Sequence, residues 1–110
     1  MDPKLSTKLA DLERRLLDRP GSLDPSVRRA AAFGTTVPEQ VVEYVDKVRR
    51  HAYEVTDDEV EALRASGWAE DQLFELTLAA AYGAARRRLD AGLDAMGPVA
   101  KLPAGGDGAP

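Results

Sequence analysis

The pattern of apolar and polar positions divides the chain into helices separated by short turns. The first apolar stripe steps by four, three and four residues, which is the spacing of one helix face, and it consists of Leu5, Leu9, Leu12 and Leu16. A Pro20–Gly21 turn ends this helix. We therefore predict that residues 1–20 form an N-terminal helical arm, which packs on the rest of the chain or on another subunit.

Helix-capping signals mark the starts of further helices. Asp24–Pro25 is typical of an N-cap followed by a first helical residue, and Gly34 fits the end of that short helix. Both Thr36–Glu39 and Thr56–Glu59 match the S/T-x-x-E capping box. These boxes predict a helix over residues 38–53 and a shorter helix after it.

The last predicted helix, over residues 69–96, is apolar on nearly every side between Leu73 and Ala85. A helix that is apolar all round is buried on more than one face, and a chain of 110 residues has little material to cover it. The segment therefore indicates a tight core helix, a subunit interface, or both. No segment alternates with period two, so we predict an all-α domain over residues 21–97. Residues 98–110, rich in Gly, Pro and Ala, are expected to be a disordered tail.

Composition and charge narrow the classes of partner and site. The formal net charge is −4, which argues against nucleic acid or an anionic membrane as a partner. The chain has no cysteine, which excludes disulfides, thiolate metal sites and thiol redox chemistry within it. The first residues lack the apolar region of a signal peptide, and no run is long enough to span a membrane, so we expect a cytoplasmic protein.

The single histidine is the first candidate for chemistry. His51 lies at the edge of the apolar face of its predicted helix, and Glu54 follows at i+3, where the two side chains are expected to be neighbours. A carboxylate that fixes the tautomer of an imidazole is suited to general acid/base catalysis. The alternative is a half-buried histidine in a surface ion pair, which is common on helices. One histidine with scattered carboxylates lacks the cluster of a zinc or iron site, so we expect no metal or other cofactor.

A basic run, Arg86–Arg88, lies within the last predicted helix. Successive helical residues point about 100° apart, so the three side chains are not expected to form one patch. Ion pairs with Asp90 or with another helix are one interpretation, and binding of a carboxylate or phosphate by one arginine is the other.

The order of the predicted pieces points to a known family. A helix over residues 38–53 and a short helix precede an acidic start at Glu70–Glu75 and an alanine-rich run at Ala79–Ala84. This order resembles the carboxymuconolactone decarboxylase and alkylhydroperoxidase D-like superfamily over about residues 37–96. The resemblance implies an alkylhydroperoxidase D-like helical bundle, here with an extra N-terminal helix. It also implies assembly as a homotrimer or hexamer with active sites near the subunit contacts.

Redox members of that family carry a relay glutamate followed by a C-x-x-C-x-x-x-H motif, whose cysteines this chain lacks. A gapless alignment from Gly67 fills the two thiol positions and the histidine position with Ala52, Val55 and Glu59. Sliding the alignment by one residue instead fills all four motif positions with the ionisable residues Glu39, His51, Glu54 and Asp58.

Two classes of function follow. In the first, the chain is a thiol-free enzyme that performs acid/base chemistry on a small organic acid, as the decarboxylase branch of the family does. His51 would then be the general base, Glu54 its orienting partner, and Glu39 or Asp58 a second acid. In the second, the chain is a non-catalytic oligomeric helical module that binds a small molecule or a protein partner.

Overall fold

The computed structural model describes residues 2–34 and 36–96, which form five α-helices joined by short turns. In chain order the helices are α1 (Pro3–Glu13), α2 (Pro25–Phe33), α3 (Val42–His51), α4 (Asp57–Ala65) and α5 (Glu70–Met96). The described part of the chain contains no strand, and the predicted all-α class is confirmed. The predicted tail at residues 98–110 lies outside the described residues.

The first helix does not bury the leucine stripe that its spacing predicted. Leu5 and Leu12 are 40% and 42% exposed, whereas Leu17 is completely buried. The reason is a π-helical turn at Arg14–Asp18, which continues α1 and contains an extra residue per turn. At this turn Leu17 is completely buried, and Leu16 packs against the core while it stays partly exposed.

The core forms where α5 crosses α2. A Cβ atom added at Gly83 would lie 1.7 Å from the carbonyl oxygen of Ala32, so the two helix backbones touch at this point. Small buried side chains line both helices around this contact: Ala30, Ala31, Ala32, Ala79 and Ala80. Close packing of this kind requires small residues, which accounts for the alanine-rich composition of both segments.

Most of the predicted capping signals form. The Asp24 carboxylate accepts a hydrogen bond from the Ser26 backbone N–H at 2.8 Å, and Gly34 ends α2 with a φ of 81°. Thr56 and Glu59 form the reciprocal capping box of α4.

The capping box predicted at Thr36–Glu39 is wrong. Pro38 is the N-terminal cap of a 3-10 turn at Glu39–Val41, no side chain caps it, and α3 begins only after this turn. Val37 and Val41 are both buried, which holds this segment against the core in a conformation that the local signal did not indicate.

A buried arginine joins the N-terminal segment to α5. Arg28 is 3% exposed, and its guanidinium donates to three backbone carbonyls between Leu16 and Leu23. The Glu75 carboxylate lies 3.8 Å from the Arg28 Nε and accepts hydrogen bonds from the backbone N–H groups of Ser22 and Leu23. This network fixes the turn before α2 against the long helix.

Candidate functional site

His51 lies on the surface rather than in an enclosed cavity. It is the last residue of α3, its side chain is exposed, and its Nδ1 lies 3.4 Å from the Tyr53 hydroxyl. Among the described residues no hydrogen bond or ion pair joins His51 to Glu54, contrary to the predicted i, i+3 contact. The backbone at His51 leaves the helical region (φ −147°, ψ 60°), so the two residues do not share one helix face.

The other three predicted acid/base residues are also exposed and lie on different elements. Glu54 ends a 3-10 turn after α3, and Asp58 lies in the first turn of α4. Glu39 precedes α3, so that helix of ten residues, about 15 Å long, separates it from His51. The single chain does not bring these four side chains together into a site.

The structure instead brings together two pairs of arginines in a groove between α2, α3 and α5. The groove has a volume of about 500 Å³. Its charged lining consists of Asp46, Arg49, Arg50, Arg87 and Arg88. Its remaining lining is mostly apolar and consists of Phe33, Gly34, Ala84 and Ala91.

Two of these arginines hold the C-terminal end of α2. Arg49 donates from Nε and Nη2 to the carbonyls of Ala30 and Ala31, at distances between 2.7 and 3.1 Å. Arg87 donates from Nη1 to the Ala32 carbonyl at 2.8 Å. The Ala30 carbonyl also accepts from the Gly34 N–H at 3.0 Å. The carbonyls at the end of a helix carry partial negative charge, so guanidinium groups stabilise this end.

The other two arginines make fewer contacts with the described residues. Arg88 donates from Nη2 to the Arg49 carbonyl at 3.3 Å, and Arg50 Nε lies 3.1 Å from the Asp46 carboxylate. A guanidinium carries five N–H donors, so each of the four arginines keeps donors beyond these contacts.

Positive charge is concentrated in the groove, although the whole chain is acidic. Four arginines against one aspartate give its lining a formal charge of +3, on a chain of net charge −4. Burial lowers the pKa of the Arg49 guanidinium below its usual value, and the nearby Arg87 charge lowers it further. The Asp46 carboxylate acts in the opposite direction and offsets part of this repulsion.

The basic run in the sequence indicated only part of this site. Arg86 points to the other side of α5, where it pairs with Glu13 and Asp90, while Arg87 and Arg88 line the groove. Sequence reasoning missed Arg49 and Arg50, which come from a different helix. The available signal was their place in the last turn of α3, where basic side chains complement the helix dipole.

A second unusual surface lies on the outer side of α5. Phe74, Leu78, Ala81 and Ala85 follow an i, i+4, i+7, i+11 spacing, which places them on one helix face, and all four are exposed. Phe74 is 63% exposed and Leu78 39%. We call these four residues the outer face of α5. The opposite side of the same helix is buried in the core.

Comparison with protein-family models, with curated proteins and with solved structures found no match to this chain. Within residues 2–34 and 36–96, no three histidine or carboxylate side chains are grouped closely enough to hold a metal ion. None of the helices described above is both long and apolar enough to cross a membrane.

Proposed function

We propose that the chain is a non-catalytic helical module that acts as a homo-oligomer, assembled through the outer face of α5. The proposal depends on one observation. Four apolar residues along one face of α5 are exposed, although the other side of the same helix is buried: Phe74, Leu78, Ala81 and Ala85. Surface helices normally present polar residues to solvent, so an apolar outer face favours a second covering surface.

The order of side chains on this face suits a second copy of the same chain. When two α5 helices cross antiparallel about a two-fold axis between Ala79 and Ala80, Phe74 faces Ala85 of the partner subunit. Leu78 then faces Ala81 of the partner subunit. Each large side chain therefore packs against a small one. An isologous interface uses the same surface on both subunits, so that surface must be complementary to itself in this way.

Apolar surface next to α5 supports the same arrangement. Leu16, in the turn that continues α1, and Leu78 line one shared groove, so a second apolar side chain lies beside the outer face of α5.

The trimer or hexamer implied by the family resemblance stays a prediction. A two-fold contact is present in a dimer and in a hexamer with two-fold axes, but not in a simple trimer. Acid/base catalysis by His51 also stays a prediction, and it requires a partner subunit to enclose a side chain that the single chain leaves exposed.

Light scattering coupled to size exclusion tests the proposal with two matched variants. Ala81→Glu places a charge on the outer face of α5, and Ala62→Glu makes the same change at an exposed alanine inside α4. We expect the wild type and Ala62→Glu to have an even multiple of the chain mass and Ala81→Glu to be monomeric, because a carboxylate buried without a partner is strongly unfavourable.

The same experiment has clear contrary results. A monomeric wild type would refute the oligomer, and an Ala81→Glu variant with the wild-type mass would show that the outer face of α5 is not the contact. A trimer that Ala81→Glu dissociates would keep the surface but refute the two-fold pairing.

A further inference from the structure

We infer that the groove of four arginines is a binding site for a small organic dianion, whose anionic oxygen atoms are attached to an apolar body. A phosphate monoester and a dicarboxylate both have this chemistry. The inference goes beyond the oligomer and does not depend on it, because Arg49, Arg50, Arg87 and Arg88 all belong to one chain and line the groove without a partner.

The donors of the groove are positioned before any ligand arrives. Backbone carbonyls hold the guanidinium groups of Arg49, Arg87 and Arg88, so these side chains lose little rotamer freedom when they bind an anion. Their remaining N–H groups form planar forks, which match the oxygen pairs of carboxylate and phosphate groups.

The charge of the lining selects the charge of the ligand. The formal charge of +3 is greater than one carboxylate neutralises, and mutual repulsion between Arg49 and Arg87 is relieved when an anion lies between them. A dianion therefore gains more than a monoanion does. The acidic remainder of the chain repels long polyanions, which favours a small ligand.

The apolar wall selects the rest of the ligand. Phe33, Ala84 and Ala91 line the groove beside its charged groups, with Ala84 and Ala91 one turn before and after Arg87 and Arg88 on α5, and Phe33 is 40% exposed. A volume of about 500 Å³ lies within the range of small-molecule sites. An apolar ring or chain packed on this wall adds affinity that a bare anion lacks.

Asp46 provides a variant that strengthens binding. Its carboxylate pairs with Arg50 and lies in the groove, where it competes with an incoming anion. We expect Asp46→Asn to tighten anion binding about three- to tenfold and Arg50→Ala to weaken it by a similar factor. Both residues are on the surface, so neither change disturbs the core.

Arg64→Ala is the matched control. Arg64 is an exposed helix arginine that pairs with Glu61 one turn earlier, as Arg50 pairs with Asp46, and it lies on α4. The substitution Arg64→Ala removes the same charge from the chain as Arg50→Ala does, but it changes no residue of the groove. A specific site therefore predicts unchanged affinity in Arg64→Ala.

The experiment is an NMR titration of the arginine Nε–Hε resonances in the full chain with phenyl phosphate, phthalate and inorganic phosphate. Saturable shifts of the Arg49 and Arg87 signals are expected with the two aromatic dianions, weaker binding with inorganic phosphate, and affinity that falls with added salt. The tighter of the two aromatic probes identifies the oxygen group that the site prefers.

Three results would overturn the inference. The first is the absence of saturable shifts with either aromatic dianion, and the second is an Arg64→Ala variant that weakens binding as much as Arg50→Ala does. The third is an Asp46→Asn variant whose affinity does not rise. Equal binding of inorganic and phenyl phosphate would refute the role given to the apolar wall.

Discussion

Gly83→Ala is the substitution whose effect follows most directly from the packing. The added Cβ would lie 1.7 Å from the Ala32 carbonyl oxygen and 2.6 Å from the Ala32 Cα. These are backbone atoms, which cannot rotate away as a side chain can. The two helices must therefore move apart until this contact reaches the ordinary distance of 3.4 Å or more.

Two destabilising effects and one stabilising effect determine the change in the free energy of unfolding. Overpacking of a core destabilises by about 1–3 kcal/mol, and separating α2 from α5 removes further contacts among the buried alanines. Replacing glycine by alanine within a helix recovers about 1 kcal/mol. The loss of contacts roughly offsets the gain in helix propensity, so we expect a net loss of about 1–3 kcal/mol in the free energy of unfolding, against the 5–15 kcal/mol typical of a domain.

Gly92→Ala is the matched control on the same helix. An added Cβ there meets no atom within 4 Å, so only the gain in helix propensity remains, about 0.5–1 kcal/mol. Urea unfolding followed by circular dichroism, at one fixed protein concentration, measures both variants. The two changes should shift the midpoint in opposite directions. A shift in the same direction, with unchanged m-values, would refute the close contact between α2 and α5.

Two further expectations use the same urea unfolding measurement, and a third uses the melting temperature as a function of pH. Arg28→Met leaves three backbone carbonyls and the Glu75 carboxylate without their buried partner and should destabilise by about 3–5 kcal/mol, and a loss below 1 kcal/mol would contradict the network. Thr56→Ala removes the capping box of α4 and should lower the stability by about 1 kcal/mol, whereas an unchanged midpoint would refute the cap. The hydrogen bond from Lys47, with one from the Thr56 backbone, lowers the pKa of Glu59 below its usual 4.5. Because the pKa of Glu59 is lower in the folded state than in the unfolded state, its ionised carboxylate stabilises the fold above pH 4.5. This stabilisation is lost as the pH falls through the pKa of the folded state. The melting temperature of the wild type should therefore fall more steeply below this pH than that of Glu59→Gln, and parallel curves would contradict the pair.

Three of the four local helix-end signals were predictable from the sequence, and the capping box at Thr36–Glu39 was not, because packing of Val37 and Val41 sets the backbone there. Asp24, Gly34 and the Thr56–Glu59 box act through neighbours within a few residues, and their signals identified the helix ends correctly. The π-helical turn at Arg14–Asp18 was missed, because only packing of Leu17 into the core distinguishes it from an ordinary helix.

The candidate site depends on contacts that the sequence does not display. Arg49 and Arg88 are 39 residues apart, and they meet only because α5 packs on α3. The predicted His51–Glu54 contact assumed a helix that continues beyond His51, whereas the backbone turns there. Spacing rules apply within one helix, so they neither exclude a bend nor reveal a groove shared by several helices.

The crossing of α5 over α2 also determines how the chain folds. Arg87 bonds Ala32 over 55 residues, and Glu75 bonds Ser22 over 53, so these contacts close a loop that contains α3 and α4. Closing so long a loop lowers chain entropy before native packing compensates, which slows folding relative to bundles held by local contacts. We therefore expect the encounter of α5 with α2 to limit the rate of folding, and α1, none of whose residues is buried, to have little effect on that rate.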